Sequence, residues 1–263
     1  MKIGILTLVF LFVSLFFSML GMGGGMFYVP ILLFANTPIH DAATISLSLI
    51  LFTSLSALFV FLRNRLVDWK LAAIIDPPTD IMAFVGGYFS AYFSEYLLKA
   101  VLGCVLIISG IFMIKKGKPI SICPKDKRWW CWDRNFNGRS YRVNLFLALP
   151  ITAGIGLLSG MLGVTGGVIK LPFMVLFCGV PMDIAIATST VMVAITALFG
   201  LAGHIIAGHF DLSMVAPLAL AAFVGGQIGS RLSVKTDKLR LKRIFGVVLI
   251  VIAVKILAEL IRS

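Results

Sequence analysis

The sequence predicts an all-α membrane protein with several spans, folded as two homologous halves. Three observations predict it. First, 60% of its 263 residues are hydrophobic and only 13% are charged, whereas a soluble domain carries about 25% charged residues. Second, apolar runs of about 18 residues or more, enough for a helix to cross a bilayer, recur along the chain. Third, one glycine-rich motif occurs twice, as Ser18-Met-Leu-Gly-Met-Gly-Gly-Gly-Met-Phe-Tyr-Val-Pro30 and as Gly160-Met-Leu-Gly-Val-Thr-Gly-Gly-Val-Ile-Lys-Leu-Pro172. Backbone in lipid must satisfy its own hydrogen bonds, so the spans are helices. The alternating ten-residue segments of a membrane barrel are absent.

The first half covers residues 1–114. Met1-Lys2 and the apolar run 3–20 resemble a secretion signal, but no small-x-small cleavage site follows and the run belongs to the repeat. It reads as the first membrane helix. After the first glycine cluster comes a short apolar segment, 26–36, then long ones at 42–62, 72–93 and 97–114. A basic linker, 115–142, carries Trp129, Trp130 and Trp132 and reads as a surface loop with interfacial aromatics. The second half, 143–263, has long segments at 143–159, 184–207, 213–233 and 244–261, with the short one at 168–178.

The halves match well beyond the glycines. Phe34-Ala-Asn-Thr-Pro38 faces Phe177-Cys-Gly-Val-Pro181, Ala42 to Ser46 faces Ala185 to Ser189, and Asp68 faces Asp211. Phe84-Val-Gly-Gly87 recurs identically as Phe223-Val-Gly-Gly226, and Leu102-Gly103 as the similar Phe245-Gly246. Matches in one order imply duplication of a unit of about 115–120 residues.

Net charge is +12, yet 18 of the 23 Lys and Arg fall within 63–70, 115–142 and 231–243. Basic clusters between apolar spans follow the positive-inside rule, not a nucleic-acid surface. If each short segment helps the chain cross, each half has five crossings, the second half is inverted, and all 18 lie inside with both termini outside. If the short segments are re-entrant, the halves run parallel and 231–243 faces the other side. The charge rule favours inversion. Ten or eleven helical residues reach only ~15 Å, half a hydrocarbon core, so the short segments are expected as half-helices buried among others.

The glycine clusters carry the chemistry. Gly21, Gly23, Gly24 and Gly25, like Gly163, Thr165, Gly166 and Gly167, would end one helix and start another. A fresh helix N-terminus offers unpaired N–H groups and a partial positive charge. Two of them meeting near the midplane make an anion site without a charged side chain. Pro30 and Pro172 each remove a further intrahelical bond. The bland alternative is close packing of small residues between helices. Lys170, whose counterpart is Tyr28, is an ionisable residue inside an apolar stretch, functional by default unless it snorkels to the interface. Ser46, Thr188 and Ser189, beside Thr190, start the helix after each short segment; they cap it, bond between helices, or donate to oxyanion oxygens. Asp76 and Asp80 flank Pro77-Pro78 and read as a loop before the span, the other reading being a proton-linked pair.

Cys104 and Cys178, in apolar runs, are expected in the core. Cys123 and Cys131 match no zinc spacing and are expected as free thiols. His204 and His209, near Asp211, lack a third metal ligand. No nucleophile elbow, P-loop or metalloprotease helix occurs, and Gly21-x-Gly-x-Gly follows no strand, so neither an enzyme nor a dinucleotide cofactor is expected.

At these motifs the chain resembles the TauE/SafE sulfite exporter family, also called the four-toluene-sulfonate uptake permease family. The first copy carries Gly21-Met-Gly-Gly-Gly25, Val29-Pro30 and Ala42-Ala-Thr-Ile-Ser46; the second Gly163-Val-Thr-Gly-Gly167, Leu171-Pro172 and Ala185-Ile-Ala-Thr-Ser189. The resemblance implies a secondary transporter of the inner membrane that moves sulfite, sulfoacetate or other organosulfonates with protons. Thr165 for a glycine, and Thr-Ile-Ser for Ala-Thr-Ser, depart from the pattern and bear on substrate size. The implied partners are a small anion and the lipid bilayer, and a homodimer fits the glycine-rich faces. An anion channel and a non-transporting scaffold acting through the basic loop are the rival readings.

Overall fold

The computed structural model describes residues 2–21, 23–114, 130–164, 166–207, 212–233 and 238–262. The first half forms α1 (Lys2–Ser18), α2 (Gly25–Phe34), α3 (Ile39–Arg63), α4 (Trp69–Ile75), α5 (Pro77–Phe89) and α6 (Glu95–Ile114), with one 3₁₀ turn, Ser90–Tyr92, after α5. The second half forms α7 (Leu145–Leu162), α8 (Gly167–Leu176), α9 (Met182–Ile206), α10 (Leu212–Ser233) and α11 (Lys238–Arg262). Five of these helices are long and apolar enough to cross a membrane. Large apolar side chains such as Ile5, Phe59, Phe146, Leu220 and Val251 are exposed, as lipid-facing residues must be. The protein is a polytopic α-helical membrane protein.

Each half leans on the other. α1 packs along α10, and its counterpart α7 packs along α5. α3 lies against α10 and α9 against α5, while the equivalent pairs α3 with α9 and α6 with α11 meet each other. Both equivalent pairs run antiparallel. Gly103 meets Leu257 where Gly110 meets Ile250 and Gly246; Leu47 meets Gly200 where Ile50 and Val193 share Gly23. α9, the most buried span, and α3 form the centre.

Small residues make the α1–α10 and α5–α7 crossings possible, because no hydrophobic force drives helices together in lipid and backbones must touch closely. At α5–α7 a Cβ on Gly160 or Gly156 would strike the Ala83 or Thr79 backbone. On α5 itself Gly86 abuts Leu157 and Met161, and at α1–α10 its equivalent Gly225, with Gly229, abuts Leu11 and Leu15. Ser18 Oγ donates to the Gly226 carbonyl at 2.7 Å.

Three expectations change. The run 72–93 is not one span: α4 and α5 meet at a break centred on Asp76, where Pro77 and Pro78 open α5. Two prolines cannot supply N–H groups to a continuing helix but suit its first turn. Its counterpart α10 has one proline, Pro217, and stays continuous. The linker ends in a β-hairpin, β1 (Cys131–Phe136) paired antiparallel with β2 (Arg139–Asn144). Its turn is Asn137-Gly138, both with positive φ (50° and 73°), the two-residue connection that matches strand twist. Finally, Cys131 is disulfide-bonded rather than a free thiol, held at the first residue of β1; Cys123 lies outside the described residues. Cys178 is buried as expected, but Cys104 is exposed on α6.

Candidate functional site

The two glycine clusters break the chain as their sequences require. Gly21 and Gly163 adopt left-handed backbone, φ 66° and 65°, a conformation that penalises a side chain. α2 starts after Gly24 and α8 after Gly166. Gly166 N–H donates to Ser159 Oγ at 3.1 Å. Pro30 is buried inside α2, and Pro172 lies within the α8 span. Thr165 lies outside the described residues.

Each break is tied to the other half by one serine. Ser46 Oγ donates to the Gly163 carbonyl at 2.7 Å, and Ser189 Oγ donates to the Gly21 carbonyl at 2.8 Å. Ser46 and Ser189 are repeat equivalents, as are Gly163 and Gly21, so the latch is made twice with the halves exchanged. Their hydroxyl protons serve protein carbonyls that the broken helices leave unpaired. Thr188 Oγ1 accepts from Asp68 N–H at 3.0 Å. Gly23 sits between Ile50 and Val193, beside Ser54. Ser54 Oγ is buried without a hydrogen-bond partner among the described residues.

Lys170 is 1% exposed, so it does not snorkel. Its Nζ forms an ion pair with Asp76 Oδ1 and donates to Thr196 Oγ1 at 3.1 Å. Thr196 Oγ1 in turn donates to Asp80 Oδ1 at 2.8 Å. Asp76, the residue that caps α5, and Asp80 in the first turn of that helix are one turn apart and share a face. They are therefore not in a surface loop: the α4–α5 break buries them, Asp76 at 2% and Asp80 at 7% exposure. Asp76 Oδ2 and Thr79 Oγ1 are buried without partners among the described residues. Charges in a medium that excludes water persist only when paired and hydrogen-bonded. The cluster thus joins α8 and α9 of one half to the α4–α5 break of the other.

The same geometry is built in neutral form at the equivalent place. Tyr28, counterpart of Lys170, bonds through its hydroxyl to Thr53 Oγ1 at 3.0 Å, and Thr53 is the counterpart of Thr196. Where the acids stand on α5, α10 has Val215 and Ala219. Thr196, Thr79 and Ser54 escaped the sequence reading. The Thr53–Thr196 pair had a signal: it keeps the register of the Ser46–Ser189 match.

A second buried carboxylate anchors the hairpin. Asp68 caps α4, accepting from Lys70 and Leu71 N–H. Arg134 grips it with two bonds, at 2.8 and 2.9 Å, and Tyr141 Oη donates at 2.6 Å. Burial alone would push the Asp68 carboxyl up; the Arg134 and Tyr141 bonds, the Leu71 N–H and the Arg134 charge outweigh it and hold it below the usual carboxylate range. Arg139 reaches Asp183 at the start of α9, and Asn137 the Arg65 carbonyl. His204 is buried, with Nε2 on the Gly160 carbonyl and Nδ1 near Ser90 Oγ; His209 and Asp211 lie outside the described residues.

A short helix follows each glycine break, and the second, α8, carries a buried lysine–carboxylate cluster; these are features of a membrane-transporter architecture. The comparisons with known proteins narrow the class. The family model described as sulfite exporter TauE/SafE matches residues 6–256, and the chain belongs to this family. It is 27% identical over 252 residues to the probable membrane transporter protein YunE of Bacillus subtilis, covering 92% of each chain. It is 24% identical over 263 residues to a probable membrane transporter protein of Methanocaldococcus jannaschii, again covering 92% of each. No solved structure matches the chain.

Proposed function

We propose that the protein is a secondary transporter, not an enzyme, that moves small sulfur-containing anions, sulfite or organosulfonates, across the cytoplasmic membrane. It works by alternating access with proton coupling. The observation that carries this reading is Lys170: a lysine 1% exposed on the short helix after the second glycine break, bonded to Asp76 and Thr196. An intramembrane charge is costly and is retained where it contacts a substrate or a proton. The family and the relatives' names support transport. The antiparallel course of the equivalent helices, together with the basic clusters, supports inverted halves that rock about the breaks. Ser54 Oγ beside Gly23 is a spare polar group at the first break. The partners are a small anion and the bilayer; a homodimer is compatible with the apolar surface.

The test is flux of sulfite and of ethanesulfonate into proteoliposomes with wild type and Lys170→Met. The variant should fold and lose ten-fold or more of the flux, on the order of the ~1.4 kcal/mol or more that one charge-assisted contact contributes. Trans-stimulation by internal substrate marks a carrier rather than a channel. Unchanged flux in Lys170→Met would remove the lysine from the mechanism.

A further inference from the structure

Resting on that functional reading, we infer that the Asp76 carboxylate is a built-in stand-in for the transported anion. Substrate displaces it from Lys170 while Asp76 takes up one proton. Charge arithmetic motivates the inference. With both acids ionised, Lys170, Asp76 and Asp80 sum to −1, and all three side chains are buried. A second anion added there would meet net repulsion in a dry environment. Replacing one anion by another on the same ammonium avoids this.

Lys170 Nζ is paired with Asp76 Oδ1 and donates a second bond to Thr196 Oγ1. On loading, the ammonium keeps Thr196 and exchanges the carboxylate for an oxygen of the anion. The freed carboxylate would be an uncompensated buried charge, so it accepts one proton and becomes a neutral acid. The only bond formed is the O–H; one proton and one monovalent anion enter together, and the site's charge is unchanged. Asp76 Oδ2, buried and without a partner among the described residues, is the open oxygen. Asp80, the more exposed of the two acids, is linked to Lys170 through Thr196 and lies on the proton's way in.

Among the described residues, the ionisable groups around Asp76 leave it as the exchangeable partner of Lys170. α7 carries no titratable side chain, and α8 carries only Lys170. α9 carries Asp183, paired with Arg139, and His204, bonded to Gly160 and Ser90. α4 carries Lys70, which is exposed, and its cap Asp68 is held by Arg134 and Tyr141. On α5 itself the remaining acid is Asp80, held by Thr196.

The experiment measures proton uptake on anion binding by the full chain in detergent, at pH 7 in weak buffer. The probe is ethanesulfonate, the anion of a strong acid, which brings no proton of its own. Wild type should take up about one proton per anion bound, and Asp76→Asn no more than about a tenth of that. Wild type should also show a new neutral-carboxyl band in the infrared when the anion is added, a reading that does not depend on the variant folding. Uptake that survives Asp76→Asn but vanishes in Asp80→Asn overturns the assignment. So does binding, seen as thermal stabilisation of wild type, with neither proton uptake nor a new band. If neither ethanesulfonate nor sulfite stabilises wild type, the substrate reading itself is refuted and the exchange falls with it.

Discussion

Replacing Gly163 by alanine isolates the role of the second break. Gly163 has φ 65°, and a Cβ there would overlap the Ala43 Cα and stand 2.6 Å from the Ala43 carbonyl oxygen. Left-handed backbone costs an alanine about 1–2 kcal/mol. Relieving the overlap with the Ala43 Cα requires α3 to retreat from residue 163 by about 1 Å or more, an overpacking cost of about 1–3 kcal/mol. The retreat also stretches the Ser46–Gly163 bond of 2.7 Å. The expected loss is therefore about 2–5 kcal/mol, roughly a 30-fold or greater rise in the unfolded fraction. Gly200→Ala is the matched control: its Cβ would meet Leu47 Cδ1 at 3.4 Å, an ordinary contact, and alanine in mid-helix gains up to about 1 kcal/mol. Thermal unfolding in detergent, followed by tryptophan fluorescence, reads both variants. Gly163→Ala melting with wild type would refute the reasoning, as would equal losses in the two variants.

Ser46→Ala and Ser189→Ala should each destabilise the fold by about 1–3 kcal/mol and by similar amounts, because each leaves one buried glycine carbonyl unpaired; the same melts compare them. Arg134→Ala should cost about 1.5–3 kcal/mol, the range for bonds to a charged group. Since the Asp68 carboxyl is held low in the folded state, its contribution is present above the ordinary carboxylate value of about 3.9 and is lost as pH falls through the folded value. Melts from pH 7 down to pH 3 should therefore show a steeper acid loss in wild type than in Arg134→Ala. Cys131 should resist alkylation until a reductant is added, which mass spectrometry of the linker peptide checks.

Much of this fold was legible because duplication writes each feature twice. The glycine breaks, the half-helices and the equivalence of Lys170 with Tyr28 all follow from residue spacing. What the repeat does not copy was harder to place. Asp76 and Asp80 have no counterparts, and a double proline resembles a loop as much as a helix break; only burial against α8 and α9 separates the two. Thr196 was hidden for a different reason: a threonine in a membrane helix is ordinary until its neighbour is known to be a lysine. The hairpin did carry a signal, Asn137-Gly138 between short flanks, but basic and aromatic residues there look equally like a loop at the membrane surface. The hydroxyls of Ser46 and Ser189 were visible; their partners lie 117 and 168 residues away, beyond what local pattern can name.

Those distances govern the order in which the protein can be made. Ser18 waits for Gly226, and Met19 for Ser233, each more than 200 residues downstream. A newly inserted first half thus holds α1, α3 and α5 in the bilayer with their glycine and serine faces still turned to lipid. No local contact can complete them, so the centre closes only after α10 is synthesised. A solitary half would face the same deficit, and only a partner carrying the equivalents of α7, α9 and α10 would relieve it. The fused chain makes that encounter intramolecular, trading a search through the membrane for a wait at the ribosome.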